Sequence, residues 1–432
     1  MPELGPSPLV TGQELPVADA RAAIHAAVAA FIRATRAVDG QETVPLAAAA
    51  GRVLARDLVS PIDVPAHDNS AMDGYALHGA DLQAVAATVL HVLPGTVFAG
   101  TPHSASVARG QALRIMTGAV MPPGLDTVVP IELCRVDGAV LTLQPGGLSA
   151  GDNRRHRGED LAQGQPALLA GRWLRPADVG LAASLGIAAL GVRRPLRVAL
   201  FSTGDELRDP GQVLPPGCIY DSNRASLRAA LQRLNVQVLD FGLVRDDPAA
   251  LRQTLQHAAA NADAVLTSGG VSMGDADHVR DVLAAFGTVA FWKVAMRPGR
   301  PFAFGPLHMA DGRPGPLLFA LPGNPVAALV TFYALVRDAL LLLAGALPMP
   351  LPVLQARSVA AIRKRPGRTE FQRAVVEPAN DGSGFQVRLT GSQGAGILRS
   401  MSEANALVVL RQEQGAVAAG EAVDVWLFDG LV

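Results

Sequence analysis

Three groups of residues have types and spacing suited to chemistry. The first is Ser268-Gly269-Gly270-Val271-Ser272-Met273-Gly274, between an apolar strand-like run and a helical pattern. Absent side chains there let backbone N–H groups approach a phosphate or another oxyanion, and the N-terminus of a helix adds to the attraction. A tight turn without a ligand is the plainer alternative. The second group is Asp205, Glu206, Asp246 and Asp277. Carboxylates gathered at one sheet edge are costly unless a cation neutralises them, and Mg2+ bridging to a phosphate is the natural partner. Taken singly, Asp246, Asp247 and Asp277 read more simply as helix caps or first-turn acids. The third group is Lys293, Arg297 and Arg300, around the Pro-Gly turn of Trp292–Pro301. The planar fork of arginine suits phosphate or another tetrahedral oxyanion, although a solvated basic loop is the ordinary alternative.

The elements that must position these groups can be read from periodicity. From Arg197 onward, apolar runs alternate with helical stretches, the signature of a doubly wound parallel sheet covered on both faces. Strands are expected at 197–201, 236–241, 264–267 and 317–321, and helices at 222–234, 248–260, 276–286 and 326–344, with 291–293 and 302–304 as edge strands. Ligands of such sheets bind outside the carboxyl ends of the strands. The four strands lead into Ser202-Thr203-Gly204-Asp205-Glu206, Arg245-Asp246-Asp247-Pro248, the glycine-rich loop, and Pro322-Gly323-Asn324-Pro325, all small, acidic or turn-forming.

Length and composition bound the remainder. With 432 residues, 49% hydrophobic and 17% charged, the chain is expected to be globular and multidomain. Residues 18–60 and 150–192 read as a helical linker domain, opening with a helix striped by Ile24, Val28, Phe31 and Ile32; 61–149 read as β-rich, 193–347 as α/β, and 348–432 as a small β domain. The stretch Asp68–Tyr75, dense in Asp, Asn and Gly, reads as loop.

Lys plus Arg number 37 against 38 for Asp plus Glu, so no global field recruits nucleic acid or an anionic membrane. The basic run Arg363–Arg368 reads as a solvated or local anion-binding loop. Two cysteines, Cys134 and Cys218, are too few for a disulfide framework and point to a reducing, cytoplasmic setting. Met1–Pro16 lacks the basic and apolar runs of a secretory signal, and the apolar runs 179–192 and 339–347 fall short of the roughly 20 residues of a membrane span. There is no Walker A or Gly-x-Gly-x-x-Gly motif; Gly270-Val271-Ser272-Met273-Gly274 has the Gly-x-Ser-x-Gly spacing, but no histidine stands at metal or triad spacing, so a nucleophile elbow is not expected.

Read together, Asp68-Asn69-Ser70-Ala71-Met72-Asp73-Gly74-Tyr75, Thr203-Gly204-Asp205-Glu206-Leu207, Ser268–Ser272, Arg297-Pro298-Gly299-Arg300-Pro301 and Leu321-Pro322-Gly323-Asn324-Pro325 resemble the molybdopterin molybdenumtransferases, the MoeA and gephyrin E-domain family. The resemblance runs from about Ala18 to the C-terminus. It implies a multidomain α/β protein: a central molybdopterin-binding domain like that of MogA, an elongated helical and β region before it, and a small β-barrel-like domain after it. The implied reaction takes adenylylated molybdopterin and molybdate, releases AMP with Mg2+, and leaves molybdenum on the pterin dithiolene. The thiolates that receive the metal belong to the cofactor, so no catalytic cysteine is required.

The resemblance also implies residue roles. Asp205 would hold Mg2+, and Glu206, Asp246 and Asp277 would hold Mg2+ or orient the attacking oxygen. Ser268, Gly269, Gly270 and Ser272 would contact phosphate; Lys293, Arg297, Arg300 and Asn324 would bind molybdate or the pterin. Asp68, Thr117, Asp160, Arg368 and Ser392 match cleft positions contributed by the flanking domains, with a homodimer placing the cleft against its partner. Transient contacts with a molybdopterin adenylyltransferase and with apoproteins of molybdoenzymes are implied as well.

Arg297 and Arg300 stand where the family commonly has lysines; charge survives, but anion selectivity between molybdate and tungstate is open. Two rival readings remain. One is an adenylyltransferase, which would resemble the central domain alone; the other is a binding scaffold, for which the chain shows no fused extra domain.

Overall fold

The computed structural model describes residues 14–35, 40–270, 282–283, 285–309 and 314–431. Its centre is a six-stranded sheet of β1 (Arg197–Thr203), β2 (Gln237–Val244), β3 (Ala264–Ser268), β4 (Ala290–Lys293), β5 (Pro301–His308) and β6 (Pro314–Leu321). The spatial order is β2-β1-β3-β6-β5-β4. Strands β2, β1, β3 and β6 are parallel, whereas β5 and β4 run antiparallel to their neighbours.

Side chains alternate between two apolar cores. Val198, Leu200, Leu266, Phe302, Phe304 and Phe319 face one, and Ala199, Phe201, Val265, Ala303 and Leu318 face the other. Both faces of β1, β3, β5 and β6 are therefore apolar, which is why these runs read as near-continuous hydrophobic sequence.

Five helices bear on this centre or its approach: α1 (Val17–Thr35), α2 (Pro176–Ser184), α3 (Ser222–Arg233), α4 (Pro248–Asn261) and α5 (Pro325–Leu343). Asp221 caps α3 by accepting from the Arg224 N–H at 3.0 Å, and Asp247 caps α4 by accepting from the Ala250 N–H at 2.8 Å. Proline occupies the first turn of α4 and of α5, where its missing N–H has no helical partner to lose. In α5 the stretch Phe332–Val336 widens to π-helix. This 19-residue helix is long and apolar enough to cross a bilayer, yet 83% of its most apolar window is buried within the molecule, so it is the core helix of the domain.

The chain leaves α1 along Gln41–Pro45 and returns along Ala189–Arg193, which pair antiparallel. Leu58–Val59 with Pro166–Leu168, and Asn69–Ser70 with Arg154–Arg155, continue the same outgoing and returning path. Between them lies a six-stranded β unit whose strands fall between Gly74 and Leu143. After α5, strands Leu354–Ser358, Thr369–Pro378, Phe385–Leu389, Ala406–Leu410 and Ala422–Leu427 close into a barrel, because Thr369–Pro378 pairs on both sides.

Three sequence expectations need correction. Strand β5 is an interior strand rather than an edge, since β4 lies outside it. Part of Asp68–Tyr75 is strand: Asn69–Ser70 pairs with Arg154–Arg155, and Gly74 begins Gly74–Leu77. The apolar stripe expected on α1 is observed, with Ile24, Val28 and Phe31 buried in the central core, and Arg21 reaches Asp338 of α5 at 2.6 Å. Lys364, read as part of a solvated or local anion-binding loop, is buried, and its ammonium donates to the carbonyls of Gln414 (2.7 Å), Arg365 (3.3 Å) and Gln412 (3.4 Å). The helix expected at 276–286 lies mostly outside the described residues.

Candidate active site

The strand order reverses at β1: the chain crosses from β1 to β2 on one side and then to β3 on the other. Loops diverge at such a switch point and leave a crevice beyond the carboxyl ends of the two strands. In register, Ser202 of β1 stands beside Ser268 of β3, so the loops beginning at Thr203 and Gly269 face one another. Gly269 has φ +94°, and a Cβ built on it would lie 2.5 Å from the Thr203 carbonyl oxygen. Only glycine allows this approach of backbone to backbone.

Polar groups concentrate at the crevice. Ser202 Oγ, Thr203 Oγ1 and Thr267 Oγ1 are buried without a hydrogen-bond partner among the described residues. Buried hydroxyls are normally satisfied, so these three, Ser202 on one face of the sheet and Thr203 and Thr267 on the other, make the carboxyl ends of β1 and β3 unusually polar. Asn223, in the first turn of α3, donates from Nδ2 to Ser268 Oγ (2.7 Å) and to the Gly323 carbonyl (2.7 Å), tying three loops together. The Gly269 N–H donates to the Leu321 carbonyl at 3.1 Å. Asn324 occupies the N-cap position of α5, without a side-chain capping hydrogen bond, and precedes Pro325. Sequence reading missed Asn223, although the Asp221 helix cap just before it was a usable signal.

The acidic group sits beside this crevice. Asp205 and Asp246 are adjacent, with the Asp246 N–H donating to Asp205 Oδ1 at 3.3 Å. The Glu206 carboxylate folds back over Gly204. All three acids are exposed. Asp277 and Ser272 lie outside the described residues. Among the described residues no group of three or more His, Cys, Asp or Glu is placed to hold a metal. Oxygen-only donors still fit Mg2+, which takes one or two carboxylates and completes its shell with phosphate oxygens and water.

The cationic group joins the central domain to the barrel. Met296–Arg297 pairs parallel to Thr369–Glu370, and the Thr369 N–H donates to the Ala295 carbonyl at 2.9 Å. Gly299, at φ +104°, packs where a Cβ would collide with Thr331 Oγ1. This pairing brings Arg368 beside the Pro-Gly turn, where Arg300 and Arg368 both reach Glu14. Arg297 and Arg300 are exposed and Lys293 is half-buried.

Between the turn and the barrel lies a cleft of about 380 Å3 lined by Arg297, Arg363, Glu370, Arg373 and Gln393 among others. Arg297 Nη1 is 3.9 Å from Glu370 Oε1. Arg373 is fully buried and donates to the carbonyls of Gly394 (2.9 Å), Gln393 (3.2 Å) and Ser392 (3.3 Å) and to Ser400 Oγ (3.0 Å). Burial, with Arg297 adding repulsion, pushes its guanidinium down to about 10. Arg373 thus shapes the loop that presents the exposed Ser392. Sequence reading missed it, although strand alternation puts it on the same face as the buried Phe371.

The remaining sequence-derived residues, Asp68, Thr117 and Asp160, lie before the central domain, each with partners of its own. Asp68 Oδ1 accepts from the Arg157 N–H at 2.8 Å, with Arg154 Nε 3.7 Å from Oδ2. Thr117 donates its N–H and hydroxyl, each at 2.7 Å, to Asp73 Oδ1; these bonds hold the Asp73 carboxyl below the usual range. The Asp160 N–H donates to the Val64 carbonyl at 3.0 Å. These hydrogen bonds all lie within the outgoing and returning segments and the adjoining β unit.

Comparison with known proteins accords with this fold. The chain matches the MoeA N-terminal region (domain I and II) over residues 15–186, a probable molybdopterin binding domain over 199–341, and the MoeA C-terminal region (domain IV) over 355–428. A Haemophilus influenzae protein named molybdopterin molybdenumtransferase is 40% identical over 394 residues, covering 90% of this chain and 95% of that protein. Molybdopterin molybdenumtransferase 2 of Mycobacterium tuberculosis is 37% identical over 413 residues, 92% of this chain and 97% of that one. The crystal structure of the molybdopterin biosynthesis MoeA protein from Pyrococcus horikoshii superposes with a TM-score of 0.77 at 27% identity, covering 96% of this chain and all of that chain. With three consecutive family regions matched and relatives aligned along nearly their full length, this chain belongs to the molybdopterin molybdenumtransferase (MoeA) family.

Proposed function

We propose that the chain inserts molybdenum into molybdopterin, taking adenylylated molybdopterin and molybdate and releasing AMP. The observation that carries this reading is the β1–β3 crevice, where Gly269 approaches Thr203 and three buried hydroxyls stand without partners among the described residues. The Gly270 N–H and the hydroxyls of Ser202, Thr203 and Thr267 would suit the phosphates of the adenylylated substrate, with Gly269, whose N–H is held by the Leu321 carbonyl, giving room for their approach. Asn223 and Ser268 would hold the neighbouring loops in place, and Ser272 would extend the phosphate contacts.

Asp205, Glu206, Asp246 and Asp277 would hold Mg2+, which when bound neutralises phosphate charge. Glu206, Asp246 and Asp277 would also orient the oxygen that attacks the phosphoanhydride. Lys293, Arg297, Arg300 and Arg368, with Ser392 and Asn324, would hold the oxyanion and the pterin end. In this reading the cationic cleft would hold the oxyanion and the crevice the adenylylated substrate, and positioning of that kind supplies much of a rate enhancement. Asp68, Thr117 and Asp160, all in the N-terminal region, would complete the cleft of a partner subunit in a homodimer. The cytoplasm fits the reaction, and a molybdopterin adenylyltransferase and molybdoenzyme apoproteins would be its transient contacts.

Sedimentation of the purified chain tests the dimer, with a monomer at micromolar concentration refuting it. AMP release in the presence and absence of molybdate tests the chemistry. Loss of that release in Asp246→Asn and Arg297→Met, with both variants folded, is the expected result.

A further inference from the structure

The segment Glu14–Pro16 is fastened across the cationic turn. The Leu15 N–H donates to the Lys293 carbonyl at 2.7 Å, and the Ala295 N–H donates to the Leu15 carbonyl at 2.7 Å. One residue before this bridge, the Glu14 carboxylate lies between two arginines: Oε1 is 2.5 Å from Arg300 Nη2 and 2.6 Å from Arg368 Nη2, and Oε2 is 2.7 Å from Arg368 Nε. The Glu14 side chain is 18% exposed, whereas Arg300 and Arg368 are 47% and 42% exposed.

Two parallel N–H···O bonds from one guanidinium to two oxygens are the geometry by which arginine also receives a tetrahedral oxyanion. The carboxylate therefore occupies donors that such an anion would use and cancels one of the two positive charges. We propose that Glu14 is a built-in counter-anion of the Arg300–Arg368 site, which the oxyanion substrate has to displace, so that this residue sets the affinity of the site. The inference rests on the reading that these arginines bind the oxyanion. The hydrogen bond to Arg368 is the first cause of the lowered pKa of Glu14, so the carboxylate is charged at neutral pH. If Glu14 instead positioned the arginines for the substrate, neutralising it would weaken binding, so the sign of the effect separates the two roles.

The experiment is calorimetric titration of molybdate into the full chain at fixed ionic strength, comparing wild type, Glu14→Gln, Arg368→Met and the double variant. Gln keeps an acceptor of the same length and leaves the Leu15 backbone bridge untouched. Glu14→Gln is expected to bind molybdate about fivefold or more tightly than wild type, the size of an ordinary coupling between two competing occupants. The gain should shrink toward nothing when Arg368 is already Met. Equal or weaker binding by Glu14→Gln overturns the counter-anion role while leaving the oxyanion site standing. Absence of molybdate binding in both wild type and Glu14→Gln overturns the oxyanion site and this inference with it.

Discussion

Gly269 and Thr203 meet backbone to backbone at the reversal of the central sheet, with room for no side chain on Gly269. Gly269→Ala would meet both the Thr203 carbonyl and the unfavourable φ of +94°. Denaturant titration should show a loss of about 1–3 kcal/mol, the cost of a non-glycine residue held in a strained backbone region. AMP release should fall with it, because the loops that form the crevice must part. A variant with wild-type stability and turnover would remove this contact from the site.

Glu206→Gln touches no core residue, since the carboxylate is exposed and folds over Gly204. Its stability should stay within about 0.5 kcal/mol of wild type, as for most surface substitutions. Its rate of AMP release should drop by about 100-fold or more, the scale of a positioned acid–base or metal-holding group. Retained turnover would take Glu206 out of the chemistry.

Lys364 and Arg297 should separate stability from binding. The Lys364 ammonium is buried against three carbonyls, so Lys364→Met strands those acceptors and should cost about 1–3 kcal/mol. It should leave molybdate affinity as it was. Arg297 is exposed, and Arg297→Met should show the opposite pattern: unchanged melting temperature and weaker molybdate binding. Weaker binding in Lys364→Met with affinity intact in Arg297→Met would reverse the two assignments.

Asp73 provides a pH test. The Thr117 backbone N–H, and then its hydroxyl, hold the Asp73 carboxyl below its ordinary value. A depressed folded pKa means that the contribution is fully present above the unfolded value of about 4 and is lost as pH falls through the folded value. The melting temperatures of wild type and Asp73→Asn should therefore differ by a constant amount at neutral pH and converge in acid. A gap that widens in acid would contradict the assignment.

The central strands were legible because both faces of each are apolar, so Arg197–Thr203, Ala264–Ser268 and Pro314–Leu321 stand out as hydrophobic runs cut by loops. The loops after them were legible because strand ends in a parallel sheet set where a ligand sits. Strand β5 was misplaced because local pattern identifies a strand but not its neighbours. Long-range pairing hid the rest. Glu14 meets Arg368 across 354 positions, and Arg21 meets Asp338 across 317, separations that no local periodicity records. Lys364 read as part of a solvated or anion-binding loop because charge alone does not reveal that three carbonyls converge on it.

The most direct measurement is AMP release from adenylylated molybdopterin by the purified chain with Mg2+, with and without micromolar molybdate. The expected result is release that depends on molybdate and is lost in Glu206→Gln. Release indifferent to molybdate, or ATP-dependent adenylylation of molybdopterin with liberation of pyrophosphate in its place, would contradict metal insertion as the function of the β1–β3 crevice.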